Sequence, residues 1–447
     1  MSKLRPPARE LAARTPPDRD RYLDLLRVLS LAVVIVGHWL MATVETRPDG
    51  QPRAGNALAV MPSLQPLTWV FQVMPLFFAV GGFAHATALR REPRYGEFVR
   101  ARAARLLVPT GVFVGVWLVV ALAIELAGRD DGMLRLATRV VAQPLWFVGA
   151  YLGVMAFAPL MWRLHRRHGA AVPAVLAAGA VAVDAVRFGP GAGTGWEAAG
   201  YLNLLFVWLA VHQMGFLYAD RGPNGDACLT KAGAWLAGTG ITAVLALTVA
   251  GPYPVSMVGM PGEKVSNMSP PTLALLAHAA WLLGLALLLR RPAARWLARP
   301  RIWLAVVTAN GVAMTAFLWH LTALFLVSAV QMAVGMAVPA VGTAAWWATR
   351  PLWIALLAAA TAALVAVFRR ADAPARLAPR SYGTARSVTG VVLSLLGVLG
   401  FSAVGFGGIL AGRSADLLVL PVTPLVSLAF LAAGAALLSV WGRMRQG

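Results

Sequence analysis

Apolar stretches of about 20 residues recur along the whole chain. Each is long enough to cross the roughly 30 Å hydrocarbon core of a bilayer. Shorter polar stretches, rich in Arg, Pro and Gly, separate them. The pattern predicts twelve spans, at about 25–44, 66–89, 106–127, 145–162, 171–187, 199–218, 232–250, 271–289, 303–331, 351–368, 388–411 and 418–441. The fold class that follows is all-α: a polytopic transmembrane helical bundle. The ninth stretch is long enough to tilt or break, and the short fifth one carries Asp184 and Arg187, three residues apart and expected to neutralise each other. No internal repeat is visible.

Charge sets the expected orientation. With the N-terminus inside, the inner segments hold 29 Lys and Arg and the outer loops 9, Arg27 lying within the first span. Cytoplasmic loops carry the excess of basic residues, so both termini are expected in the cytoplasm and the protein in the cell inner (plasma) membrane. The most basic inner loop is RREPRYGEFVRARAAR, residues 90–105, and the largest outer loop is GPYPVSMVGMPGEKVSNMSPP, residues 251–271. The outer one is either a shaped acceptor surface or a plain connector.

Composition then narrows the class. Of the 447 residues 59% are hydrophobic and 13% charged, against about 25% charged in soluble domains. A net charge of +21 would suggest nucleic acid in a soluble protein. Here the basic residues alternate with the membrane spans, so no nucleic-acid partner is expected. A single cysteine, Cys228, excludes an internal disulfide framework and argues against a Cys-based metal site. Residues 1–20, charged and Pro-rich, read as a disordered basic cytoplasmic arm without a signal peptide. The linker RRADAPARLAPRSYGTAR, residues 369–386, divides a ten-helix core at 21–368 from two C-terminal helices within 387–447.

The first span and its approach read RYLDLLRVLSLAVVIVGHWL. Arg27 and His38 are eleven residues apart, about three helical turns and roughly 16 Å along the axis, which places them on one face. Ionisable groups inside a span are costly and by default indicate function. Asp24, three residues before Arg27, is placed to pair with it. A buried neutral imidazole suits a general base, and an arginine fork suits phosphate. The bland alternatives are a snorkelling anchor for Arg27 and an interhelical hydrogen bond for His38.

The R-x10-H spacing in LDLLRVLSLAVVIVGH resembles the first-helix signature of the acyltransferase family 3 membrane proteins, which often read LDGLRGLA followed by a deep histidine. Further stretches match in order. PLFFAVGGF at 75–83 resembles the family's PLFFVLSGF, and Arg102-x-x-Arg105 before LLVP resembles its basic R-x-x-R. LWFVGAYLGVMAFAP at 145–159 is similar to its WFLxxY segment, and MTAFLWHLTAL at 314–324 to its late YLxH stretch. Together these cover about residues 20–325. The resemblance implies transfer of an acyl group, acetyl being expected, from cytoplasmic acyl-CoA to a hydroxyl of a glycan, lipid-linked or natural-product acceptor, with no metal. It implies His38 as the catalytic residue, Arg27 as its donor-side partner, and Arg102 and Arg105 as donor-binding. The family's SGF serine is Gly81 here, and the two C-terminal spans are not part of the usual core.

His320, His212, Trp146, Tyr151 and Asn310 are further candidates to line the substrate cavity, each with an interhelical hydrogen bond as its structural alternative. Glu45, seven residues after His38, either orients the imidazole or belongs to the outer loop. His85, His165 and His168 fall at the cytoplasmic boundary and read as solvated or headgroup-facing, and Gly111 and Gly115 have the spacing of a close helix contact. Two other functions are compatible with twelve spans: a secondary transporter, and a flippase-like partner of an envelope-assembly complex. Against the transporter stand the missing repeated halves, which many such folds have, and the missing G-x-x-x-D-R-x-G-R loop.

Overall fold

The computed structural model describes residues 8–16, 19–46, 52–128, 132–189, 193, 196–220, 226–260, 262–336, 338–372 and 382–440. Its principal helices are α1 (Arg21–Met41), α2 (Met74–Leu89), α3 (Tyr95–Leu126), α4 (Leu145–His168), α5 (Ala171–Phe188), α6 (Asn203–Ala219), α7 (Asp226–Ala250), α8 (Leu273–Leu297), α9 (Pro300–Asn310), α10 (Ala313–Ala333), α11 (Ala344–Phe368), α12 (Thr384–Val404) and α13 (Pro424–Leu438). Among the described residues, eleven helical segments are long and apolar enough to cross a membrane. The fifteen residues of α13 reach only about 22 Å. The chain is an all-α, multi-pass membrane protein, as hydrocarbon requires of a backbone that must satisfy its own polar groups.

Local sequence explains where the helices begin. Asp20 Oδ1 accepts from the backbone N–H groups of Tyr22 and Leu23 and so caps α1. Thr272, Thr343 and Thr423 cap α8, α11 and α13 with their hydroxyls, each satisfying a donor the helix itself leaves unpaired.

Three expectations are corrected, and the ninth stretch breaks, as its length allowed. The ninth stretch is two helices: α9 ends at Asn310, and Val312, at φ −128, leaves helical geometry before α10 resumes. Its Asn-Gly pair is a poor helix interior. The eleventh span stops at Val404 rather than 411, where Gly405 takes φ +82, a conformation natural to glycine. A short hairpin, Ala415–Leu417 on Leu420–Val422, then delays the last helix to Pro424. Finally, the N-terminal arm is not wholly unstructured. Residues Ala8–Ala13 are helical, Thr15 Oγ1 accepts from Trp303 Nε1 at 2.9 Å, and Ala12 packs against the apolar cluster formed by Tyr22, Leu25, Leu297, Trp303 and Val306.

By contact the chain divides into two units, Met1–Val34, Met61–Arg91 and Phe157–Gly311 in one, and Ile35–Val60, Glu92–Ala156 and Val312–Gly447 in the other. In the first, α2 and α6 cross at glycines. A Cβ on Gly82 would lie 2.0 Å from the carbonyl oxygen of His212, and one on Gly215 2.0 Å from that of Ala79. The expected contact at Gly115 is absent, since nothing lies within 4 Å of a Cβ there. The described residues of the loop, 251–260 and 262–271, fold on themselves. Asn267 Nδ2 donates to the carbonyls of Pro254 and Ser256 at 2.7 and 2.9 Å, and its Oδ1 accepts from Thr272.

The second unit contains the last two helices, fastened to α3 near both of its ends. Glu125 accepts from three consecutive backbone N–H groups, those of Gly408, Ile409 and Leu410. The Arg100 guanidinium donates to the carbonyls of Leu438 and Ser439 at 3.1 and 3.3 Å, where α13 ends. These are carbonyls the helix cannot satisfy internally.

Candidate active site

In the second unit, two histidines distant in sequence meet. His38 is half-buried on the C-terminal part of α1, and its Nδ1 lies 3.1 Å from Nε2 of His320 on α10. His320 is fully buried, and its Nδ1 donates to the carbonyl of Phe317 one turn earlier. The surroundings fix both rings. Trp39 Nε1 donates to the His320 carbonyl at 3.2 Å, and Trp353 Nε1 on α11 donates to the Trp39 carbonyl at 3.1 Å. On α10, Trp319 stacks on Phe368 and meets Phe113 edge-on, and Thr322 accepts from Trp117 Nε1.

A chain of ring contacts leads from this pair towards the basic stretch of α3. His320 packs on Phe317, Phe317 on Phe147 and Phe147 on Tyr151, with centroids 5.8, 5.2 and 6.2 Å apart. Trp146 meets Phe147 edge-on. Tyr151 and Arg105 lie near enough to act electrostatically on Arg102, whose partly buried guanidinium sits 4.8 Å from the centre of the Phe98 ring. The structure therefore brings His38, His320, Trp146, Tyr151, Arg102 and Arg105 into one unit.

Other expected residues go elsewhere. The Asp24 carboxylate is taken by Arg19, at 2.6 and 2.9 Å, and not by Arg27, which is exposed on α1. The Arg19 guanidinium precedes the helix and reaches both carboxylate oxygens at once, and this hydrogen bond holds its pKa above the ordinary value. Asn310 also reaches Asp24, at its carbonyl and Oδ1.

His85 and His165 are not solvated. His85 Nδ1 is 2.9 Å from His212 Nε2 across the glycine crossing, and His165 Nε2 pairs with Asp220 at 2.6 Å, a carboxylate that also receives Arg90. His168 is exposed. Asp184 does not rely on Arg187. Its carboxylate accepts from Asn203 Nδ2, the Tyr253 hydroxyl and the Leu273 N–H, at 2.9, 3.0 and 2.7 Å. The side chain of Glu45 lies outside the described residues, although its backbone belongs to the hairpin Ala42–Thr46 on Pro52–Asn56.

Sequence reading missed His278, which is buried and bonded to the Trp69 carbonyl at 2.7 Å, and it missed the Asp20–Tyr218–Arg290 chain at the start of α1. An intramembrane histidine facing an apolar helix was the available signal for the first, and an Asp just before a helix for the second. An apolar cavity of about 80 Å³ in the first unit, between Tyr22, Val80, Tyr218 and Leu283, is lined by none of the expected residues. Among the described residues, no group of three or more His, Cys, Asp and Glu side chains could hold a metal ion.

The family model described as the acyltransferase domain of acyltransferase family 3 matches residues 20–370. The chain belongs to acyltransferase family 3. It is thus a membrane acyltransferase, and no curated protein and no solved structure matches it. The matched region of this acyltransferase includes His38, His320, Arg102 and Arg105, and ends before α12. Where the family's serine is expected, Gly81 is buried in α2, next to the glycine crossing.

Proposed function

We propose that this acyltransferase moves an acyl group, acetyl being the expected one, from acyl-CoA to a hydroxyl of a glycan, lipid-linked or natural-product acceptor, with His38 as the general base. The observation that carries this reading is the contact of His38 Nδ1 with His320 at 3.1 Å inside the family-matched region. A base held in place by a second group is the arrangement that activates a hydroxyl nucleophile. The other ring nitrogen of His38, Nε2, takes the hydroxyl proton as the hydroxyl oxygen attacks the thioester carbonyl.

The donor side is read from charge. Arg102 and Arg105 on α3 are the donor-binding residues, since a guanidinium fork takes two phosphate oxygens at once. Arg27 assists from three turns earlier on the continuous helix α1. The excess of basic residues in alternate loops supports cytoplasmic termini in a plasma membrane and so a cytoplasmic thioester.

Two measurements test this. His38→Ala is expected to abolish acyl transfer while the protein still inserts and folds, read by mass spectrometry of envelope glycans and secreted metabolites. CoA is expected to raise the melting temperature of the purified protein, and less so in Arg102→Gln/Arg105→Gln. Full transfer by His38→Ala would refute the mechanism.

A further inference from the structure

We propose that His320 is a positioning residue that fixes the tautomer of His38. The proposal rests on the reading of His38 as base. Its argument starts from an atom that cannot donate. The Phe317 carbonyl only accepts, so the His320 Nδ1 facing it carries the hydrogen. A neutral imidazole has one N–H, which leaves His320 Nε2 as an acceptor. The nitrogen 3.1 Å away, His38 Nδ1, must then be the donor. It follows that the proton-accepting lone pair of His38 is on Nε2.

This order matters for chemistry. An imidazole held with its hydrogen on Nδ1 presents a basic Nε2 in one orientation, whereas the opposite tautomer presents a hydrogen to the acceptor hydroxyl and cannot deprotonate it. During transfer the acceptor O–H bond breaks and its proton goes to His38 Nε2. The oxygen pair forms the new C–O bond at the thioester carbonyl. The C–S bond then breaks with its electron pair on sulfur, and His38 Nε2 returns the proton to that thiolate. Ester and free thiol are the products. While His38 is an imidazolium, its Nδ1–H bond to His320 Nε2 becomes charge-assisted and so stronger. His320 is thereby bonded most tightly when charge has developed, which is where an interaction accelerates a reaction.

A purely structural role for His320 would be an interhelical bond between α1 and α10. Packing of the two helices does not depend on that ring alone, because Trp39 Nε1 binds the His320 backbone carbonyl, a group retained in every side-chain variant. His320→Leu and His320→Gln are therefore the informative pair. The Gln amide oxygen can accept from His38 Nδ1, and Leu cannot.

The test uses full-length protein in liposomes with 15N-labelled histidine and solid-state NMR, the His38 signals being those lost in His38→Gln. In the native protein Nδ1 is expected to be the protonated nitrogen of His38 and Nε2 the bare one. His320→Leu is expected to move most of the population to the Nε2–H form, and His320→Gln to retain the native form. In parallel, thiol release from acetyl-CoA in the presence of a solubilised envelope extract gives the kinetics. His320→Leu should lower kcat about 100-fold with KM for acetyl-CoA within about twofold, and His320→Gln should recover at least about tenfold of that loss. An unchanged His38 tautomer in His320→Leu overturns the proposal, as does an equal kcat loss in Leu and Gln. Full activity in His38→Ala overturns the base assignment instead, and it leaves the NMR result untouched, so the two failures are distinguishable.

Discussion

Asp184 offers the sharpest stability prediction because its partners can be counted. It is 2% exposed, and its carboxylate closes three connections: to Asn203 at the start of α6, to Tyr253 in the folded loop, and to the first backbone N–H of α8. In Asp184→Ala three buried donors lose their acceptor, at about 1–3 kcal/mol each, so a loss of roughly 3–9 kcal/mol is expected. Asp184→Asn is a different perturbation. Tyr253 and Leu273 both bond Oδ2, which the amide oxygen can replace. The amide nitrogen then faces Asn203, whose Oδ1 has no partner among the described residues. Rotating the Asn203 amide supplies that acceptor, but it turns the Asn203 Nδ2 group to the place where Oδ1 had no partner, so one buried amide donor is left unpaired at a cost of about 1–3 kcal/mol. Asn also loses the charge, which strengthens these bonds and balances the nearby Arg187. That is expected to cost about 1–2 kcal/mol.

The assay is thermal unfolding in detergent, followed by the fluorescence of the 16 tryptophans, together with hydrogen exchange across residues 254–275. For a chain of this length about 1–2 °C per kcal/mol is expected by extrapolation from smaller domains. Asp184→Ala should therefore melt several degrees below Asp184→Asn, with exchange accelerated at Leu273 only in the Ala variant. Equal losses in the two variants would refute the reasoning, since they would mean that charge, not donor satisfaction, is what Asp184 supplies.

Three further predictions test other parts of the fold. Glu125→Ala should accelerate hydrogen exchange at Gly408, Ile409 and Leu410, whose N–H groups it binds, and Glu125→Gln should do so less. Gly215→Ala places a carbon 2.0 Å from the Ala79 carbonyl oxygen and should cost about 1–3 kcal/mol or more in thermal unfolding, whereas Gly115→Ala, where a Cβ meets nothing within 4 Å, should be close to neutral. The Tyr253 phenol, outside the membrane segments, has its pKa raised by burial and then by the Asp184 charge. The folded state thus holds this proton more tightly than the unfolded one, so the stability is fully present below about pH 10 and lost as pH rises towards the raised value. Melting temperatures measured from pH 9 to 11.5 should fall more steeply in the native protein than in Tyr253→Phe.

The helices were legible because hydrophobicity acts locally and over long runs. Each of the twelve expected spans corresponds to helix in the structure, and the errors fall where the chain turns. Asn310 and Gly311 are two polar or small residues inside an otherwise apolar run, too few to lower its average, yet enough to break it. Gly405 ends α12 by adopting a positive φ, while the apolar sequence continues for several residues as loop. The last helix is short for a related reason: the hairpin Ala415–Val422 is apolar enough to read as span although its backbone is paired as strand.

Side-chain partners were less legible, and the reason is physical. Spacing along a helix says which residues share a face, and it was right that α1 runs unbroken from Arg27 to His38. It does not say which helix covers that face. His38 and His320 are 282 positions apart, so no local period links them, and His85 and His212 are 127 apart. The same limit explains why near neighbours were overvalued. Asp24 and Asp184 each have an arginine three residues on, but the first is bonded by Arg19 and the second by donors from three other segments. A buried carboxylate has about four acceptor positions, and in a medium without water one neighbouring cation cannot fill them, so the network recruits whatever donors the packing delivers. In a membrane chain the cost of burying an ionisable side chain flags its position. The partner that offsets the cost, and with it the side chain's role, is set by tertiary packing.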